Sequence, residues 1–141
     1  MKIEETEKEI KEEFDMFDSW EDKYQYLIDM GKDLHALPEA LKTDDRLIKG
    51  CQSRVWMNSE LENGKVIYQA DSDAIITKGM VALVIRVLSG HTPDEILKAD
   101  MHFIDEIGLK EHLSPTRANG LLSMIKQMKL DAMALKTKLS H

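Results

Sequence analysis

Val55-Trp56-Met57-Asn58-Ser59-Glu60-Leu61-Glu62-Asn63-Gly64-Lys65-Val66-Ile67-Tyr68-Gln69-Ala70 is the stretch on which the fold turns. Val55, Met57, Ser59 and Leu61 alternate with Trp56, Asn58 and Glu60, the period-two pattern of a strand with one face turned inward. Asn63-Gly64 interrupts it with a residue pair that tolerates the two positive φ angles of a type I′ turn. Lys65 to Ala70, with Val66-Ile67-Tyr68 at its centre, then reads as the return strand. A hairpin alone is marginal in water, so other elements must cover one of its faces.

On the N-terminal side, Ile3, Ile10, Phe14 and Phe17 recur among charges and predict an amphipathic helix from about residue 3 to 15. Asp18 or Ser19 can cap a second helix, whose apolar face is Trp20, Tyr24, Leu27 and Ile28 and whose end lies near Gly31. Leu34 to Leu41 reads as an irregular or short helical bridge. Residues 42–54 read as a long loop in which Lys42, Arg46, Lys49 and Arg54 outnumber Asp44 and Asp45. On the C-terminal side, Asp71-Ser72-Asp73 breaks the strand, and Ala74-Ile75-Ile76-Thr77 predicts a third short strand. Lys78 to Leu88 is apolar on almost every side and predicts a core helix ending at Gly90. Thr92-Pro93-Asp94-Glu95 is a capping box with proline at the first helical position. Phe103, Ile104 and Ile107 predict a short turn closed by Gly108. Ser114-Pro115 opens a last helix with the stripe Ala118, Leu121, Leu122, Ile125, Met128, Ala132 and Leu135. The expected class is α+β: a small antiparallel sheet of about three strands, flanked by N-terminal and C-terminal helices.

The chain of 141 residues suits one domain, 1–141, and its 32% of charged residues suits a folded soluble protein. The formal net charge of −7 argues against nucleic acid as a partner, because phosphate binding needs a basic face. No apolar run approaches the roughly 20 residues of a membrane span. The acidic start, Met1 to Phe14, lacks the basic and apolar regions of a secretory signal. One cysteine makes no internal disulfide, and the expected address is the reducing cytoplasm.

That cysteine is Cys51, four residues before the first strand, within Lys49-Gly50-Cys51-Gln52-Ser53. A free cysteine is commonly a small buried hydrophobe. This one stands outside every periodic apolar segment, and the nearby cations are expected to favour its thiolate. A cysteine hydrolase or transferase needs a base against the thiol. None of His35, His91, His102, His112 and His141 stands in a catalytic motif. A dithiol oxidoreductase needs a second cysteine. A single thiol loaded and unloaded by partner proteins fits the inventory, a Cys–His enzyme stays open, and so does an adaptor with an incidental cysteine.

Three blocks narrow the choice. Gly50-Cys51-Gln52-Ser53-Arg54-Val55-Trp56 resembles the signature of the SufE family, which includes the CsdE proteins. Ala70-Asp71-Ser72-Asp73-Ala74 with Lys78-Gly79 resembles it too, as does Leu113-Ser114-Pro115-Thr116-Arg117-Ala118-Asn119-Gly120-Leu121. Leu37-Pro38 and Thr92 to Leu97 agree, and the likeness runs from about residue 10 to 135. Arg54 stands where the family often has glutamine and Thr116 where it often has serine; Thr77 and Met80 replace commoner valine and leucine.

The resemblance implies a SufE/NifU-like fold and a non-enzymatic role: accepting persulfide sulfur on Cys51 from a SufS- or CsdA-type cysteine desulfurase, stimulating it, and delivering sulfur to a SufBCD-type iron–sulfur scaffold. The pyridoxal phosphate belongs to the desulfurase, so no cofactor or metal is expected here. Around Cys51, the expected supporting and docking residues are Gly50, Gln52, Ser53, Arg54, Trp56, Asp71, Asp73, Lys78, Arg117 and Asn119. Arg117 lies near a helix start, where a cation is disfavoured, so a carboxylate partner is expected in Asp73 or Asp71. The thiol loop is expected to turn inward at rest, with the sulfur in an apolar cavity beneath the sheet. A glycine inside the last helix, Gly120, is expected to allow close packing against that loop.

Overall fold

A computed structural model describes residues 2–139. Helix α1 (Ile3–Asp15) and helix α2 (Trp20–Lys32) precede the sheet; Ser19 caps α2 by accepting from the Asp22 amide at 3.2 Å. Strands β1 (Val55–Glu62) and β2 (Lys65–Ser72) pair antiparallel from Val55↔Ser72 to Glu62↔Lys65. Asn63 (φ 53°) and Gly64 (φ 79°) make the expected turn. Then come α3 (Ile75–Leu88), α4 (Pro93–Lys98), the short turns α5 (Phe103–Glu106) and α6 (Leu109–His112), and the long α7 (Pro115–Leu139).

The sheet has two strands among the described residues, not three. Ala74-Ile75-Ile76-Thr77 opens α3 instead: the Ala74 carbonyl already accepts from the Lys78 amide at 2.8 Å. Ile76, Met80, Val84 and Val87 continue one helical face, and that longer period outweighs the strand preference of two adjacent isoleucines.

Val55, Met57, Val66, Tyr68 and Ala70 share the inward face and are buried with α3 and α7. The Tyr68 hydroxyl donates to the Met128 carbonyl of α7 at 2.6 Å, which satisfies the polar tip of an otherwise apolar ring. Both outer edges of the hairpin are partly occupied, by the bridges Leu47↔Trp56 and Val66↔His91.

Helix α2 crosses α3 through two glycines. A Cβ on Gly79 would lie 2.3 Å from the Leu27 carbonyl oxygen, and one on Gly31 would lie 2.8 Å from the Gly79 amide nitrogen. The backbones therefore touch, and this contact sets the start of α3 against α2. The buried stripe of α7 is Leu121, Met124, Met128 and Ala132. Leu122, expected on that stripe, points outward and is 45% exposed.

Candidate functional site

The loop that carries Cys51 is short and tied at its base. Residues 42–54 are not free loop throughout: a 3₁₀ turn occupies Asp44–Arg46, and another, Glu39–Leu41, precedes it. The Ile48 amide donates to the Val55 carbonyl at 2.9 Å, which leaves residues 49–54 as the projecting segment. On the other side, the Arg54 amide donates to Asp73 Oδ1 at 3.1 Å, and the Asp73 amide to the Arg54 carbonyl at 3.3 Å. Asp73 thus clamps the loop to the end of β2.

The tip folds onto α7. Gly50 takes φ +92°, and a Cβ there would lie 2.5 Å from Ser123 Oγ, so both conformation and space call for glycine. Cys51 Sγ lies 3.6 Å from the Gly120 carbonyl oxygen and donates to it. The expected closeness of Gly120 is present: a Cβ there would sit 3.6 Å from Sγ, in ordinary contact. A cleft of about 390 Å³ opens beside the thiol. Its walls include Gln52 and Ser53 of the loop, Ile75 and Thr77 of α3, and Thr116, Arg117 and Gly120 of α7.

Two expectations about this cavity are corrected. It does not lie beneath the sheet, since no strand residue lines it. Its lining is mixed rather than apolar, because the start of α7 contributes Thr116 and Arg117. The loop does turn inward, but onto a helix.

The expected thiolate is corrected too. Burial pushes the Cys51 thiol above its ordinary value of 9.0. Two of the loop's four cations are engaged elsewhere. Lys42 pairs with Glu39 at 3.0 Å and Asp71 at 3.5 Å, and Arg46 bonds Asn58 and Thr43 at 3.2 and 2.8 Å. With Sγ half-buried on a carbonyl oxygen, the resting sulfur is a protonated thiol.

Asp71 is only 4% exposed and joins three segments. It accepts the Leu37 amide at 3.3 Å and the Ser72 amide at 2.8 Å, and it pairs with Lys78 at 3.3 Å. Burial alone would raise its carboxyl, but the Ser72 and Leu37 amides and Lys78 outweigh that and hold it below the usual value of 3.8. Arg117 therefore finds neither expected carboxylate: Asp71 is saturated by lysines and amides, and Asp73 is engaged by Arg54. Arg117 projects at the cleft wall with no ion pair among the described residues.

Gly50, Gln52, Ser53 and Arg117 are thus gathered around Cys51. Asp71, Asp73 and Lys78 brace the loop and strand end. Arg54, Trp56 and Asn119 do not line the cleft; Trp56 lies instead beneath Lys42, whose Nζ is 5.5 Å from the ring centroid. Sequence reasoning missed Ile75, which is 67% exposed on the cleft lip, because the segment read as a strand. It also missed Ser123, whose only signal is a small residue one helical turn after Gly120. None of the four described histidines lines the cleft; His112 is stacked on Trp20 at 3.8 Å, and His141 lies outside the described residues.

Residues 8–132 match the family model described as SufE, an Fe-S metabolism associated domain. The chain is 40% identical over 129 residues to an uncharacterised SufE-like protein of Rhizobium meliloti, covering 88% of this chain and 92% of that one. It is 39% identical over 140 residues to SufE-like protein 1, chloroplastic/mitochondrial, of Arabidopsis thaliana. There it covers 96% of this chain but spans only 38% of the plant protein. The fold matches the solution structure of a hypothetical protein from Thermus thermophilus, with a TM-score of 0.78 at 22% identity over 94% of this chain and 96% of that one. A lone thiol on a braced loop, in a chain matched over most of its length, places this protein in the SufE family, whose domain is associated with iron–sulfur metabolism.

Proposed function

We propose that the protein is a sulfur carrier that takes one sulfur atom from a cysteine desulfurase of the SufS or CsdA kind and passes it to a SufBCD-type iron–sulfur scaffold. The observation that supports this most is the placement of Cys51, the only cysteine of the chain, on a tethered loop tip at the mouth of a cleft. Family membership supplies the iron–sulfur setting.

The step is an exchange between sulfurs. The Cys51 thiolate attacks the outer sulfur of the desulfurase persulfide. A new S–S bond forms on Cys51, the old S–S bond breaks, and the desulfurase cysteine leaves as a thiolate. One proton leaves Cys51 and one is taken up by the departing thiolate, so no external oxidant or reductant enters. Pyridoxal phosphate acts in the desulfurase and this chain needs no cofactor of its own. A reducing compartment such as the cytoplasm keeps the thiol free between loadings.

The resting geometry opposes this attack, because burial holds the proton on sulfur. Docking of the desulfurase swings residues 49–53 away from α7, exposes Sγ and lowers its pKa toward the ordinary value. After loading, the loop returns and shields the persulfide from thiols in solution. Gln52, Ser53, Ile75 and Arg117, which line the cleft, surround the emerging sulfur, and the exposed Arg54 and Asn119 beyond it face the partner. Amide exchange over residues 49–53 is expected to rise when the desulfurase binds; unchanged exchange contradicts the swing.

Cys51→Ser tests the role. The variant is expected to bind the desulfurase with nearly unchanged affinity and to lose stimulation of cysteine turnover. A Cys–His enzyme would instead lose activity on substitution of a histidine. His112→Gln and His91→Gln are therefore expected to leave stimulation intact, and loss in either contradicts the carrier reading.

A further inference from the structure

Helix α7 is apolar on two faces, and only one of them is used. Leu121, Met124, Met128 and Ala132 are buried against the hairpin and α3. The other face carries Leu122 (45% exposed), Leu130 (54%) and Met133 (50%), which are three of the five large hydrophobic side chains that stand exposed among the described residues. With Ile125 and with Leu97 of α4 they line a groove of about 390 Å³ bordered by Lys126 and Lys129. From Leu122 to Met133 the face runs roughly 16 Å along the helix axis. This is the length and apolar spacing of a helix-in-groove site. Separate apolar side chains on a surface are ordinary, whereas a row of them with no cover marks an interaction site.

The charges on this face select the occupant. The chain as a whole carries −7, yet the groove is bordered by lysines alone. Neither Lys126 nor Lys129 has an ion pair among the described residues, and Lys129 directs its ammonium to the Ala99 carbonyl. A second copy of this chain is disfavoured. Antiparallel pairing of α7 about a two-fold axis sets each Lys126 against a second copy's Lys129, and parallel pairing sets each lysine against its own counterpart. Like charges so opposed are destabilising. A lipid surface is disfavoured because only two cations stand at the edge of this face, too few to hold it to anionic headgroups.

We propose that the outer face of α7 is a docking groove for an amphipathic helix of another protein, one with apolar side chains on its inner face and carboxylates on its flanks. The groove lies on the side of α7 away from the hairpin and shares no residue with the Cys51 cleft. A helix seated there leaves the thiol loop free to move.

Two synthetic peptides of about 18 residues test this. Both carry leucines at heptad a and d positions; one has glutamates and the other lysines at e and g. Each is titrated into the isotopically labelled full chain while backbone amide resonances are followed. The glutamate peptide is expected to shift resonances of residues 121–134 and 96–99, and to bind at least about tenfold more tightly than the lysine peptide. Leu130→Asp, at an exposed position, is expected to abolish the shifts without changing the melting temperature. Lys126→Glu with Lys129→Glu is expected to reverse the preference between the peptides. No shift with the glutamate peptide overturns the proposal, as does equal binding of both peptides. Binding to phosphatidylserine vesicles, or self-association removed by Leu130→Asp, assigns the face to a membrane or to a second copy and overturns it as well.

Discussion

Cys51 is held in an unreactive state by neighbours that are individually modest. Its sulfur sits on the Gly120 carbonyl, and burial raises its pKa above the ordinary 9.0. Alkylation by iodoacetamide follows the thiolate fraction. Its pH profile in the native protein is therefore expected to lie at higher pH than in the urea-unfolded chain, so that at pH 8 the native thiol reacts more slowly. Coincident profiles contradict the buried resting thiol. Gly50→Ala adds a Cβ 2.5 Å from Ser123 Oγ at a φ of +92°. It is expected to lift the tip off α7, speed alkylation several-fold and cost about 1–2 kcal/mol of stability. Asp71 carries a different kind of burden. Asp71→Asn removes a buried carboxylate that receives two amides and lies near Lys42 and Lys78. The expected loss is about 1.5–3 kcal/mol in urea unfolding at pH 7. Because the folded carboxyl titrates below its unfolded value of 3.8, its contribution is present above that pH and fades as pH falls through the folded pKa.

Much of the element order was legible in the sequence, for identifiable reasons. The alternation from Val55 to Leu61 with Asn63-Gly64 fixes the hairpin, and the Thr92 to Glu95 capping box fixes α4, because in both cases a few adjacent residues settle the backbone. The start of α3 was not legible locally. Ile75-Ile76 carries a strand preference, and only the face continuing through Met80 and Val84 reveals the helix. The loop position of Cys51 was legible from its isolation in the sequence, whereas its protonated state was not. That depends on how far the loop settles onto α7, a long-range fact. The same holds for Arg117, whose expected partners are taken by residues from other segments. The glycine crossing of α2 and α3 was equally hidden, since Gly31 reads as a helix end and Gly79 as part of a family block. Gly79→Ala would drive a Cβ to 2.3 Å from a backbone oxygen that cannot move alone. The expected loss is about 2–3 kcal/mol in denaturant unfolding at constant m-value, and a loss below about 0.5 kcal/mol contradicts the contact.

Across the whole molecule, acidity is uneven. Much of it lies on α1, where burial, then Asp100, Glu4 and Glu106, push the Glu7 carboxyl up from 4.5 to about 7. A carboxyl raised on folding stabilises the protein below its unfolded pKa and loses that contribution as pH rises through the folded value. Stability attributable to Glu7 is thus expected to decline between about pH 4.5 and 7. Glu7→Gln is expected to raise the melting temperature at pH 8 and change it little at pH 4; the opposite ordering contradicts the crowding of carboxyls around α1. The remaining architecture serves one loop: α2 and the glycine crossing set the start of α3, Asp71 and Asp73 fasten the strand end, and α7 receives the thiol. Mass spectrometry after mixing the protein with a cysteine desulfurase and free cysteine reads the outcome most directly. The account predicts a gain of about 32 Da, one sulfur, on the peptide containing Cys51, removed by dithiothreitol and absent from Cys51→Ser. A Cys51 peptide of unchanged mass, while the desulfurase itself carries a persulfide, would contradict it.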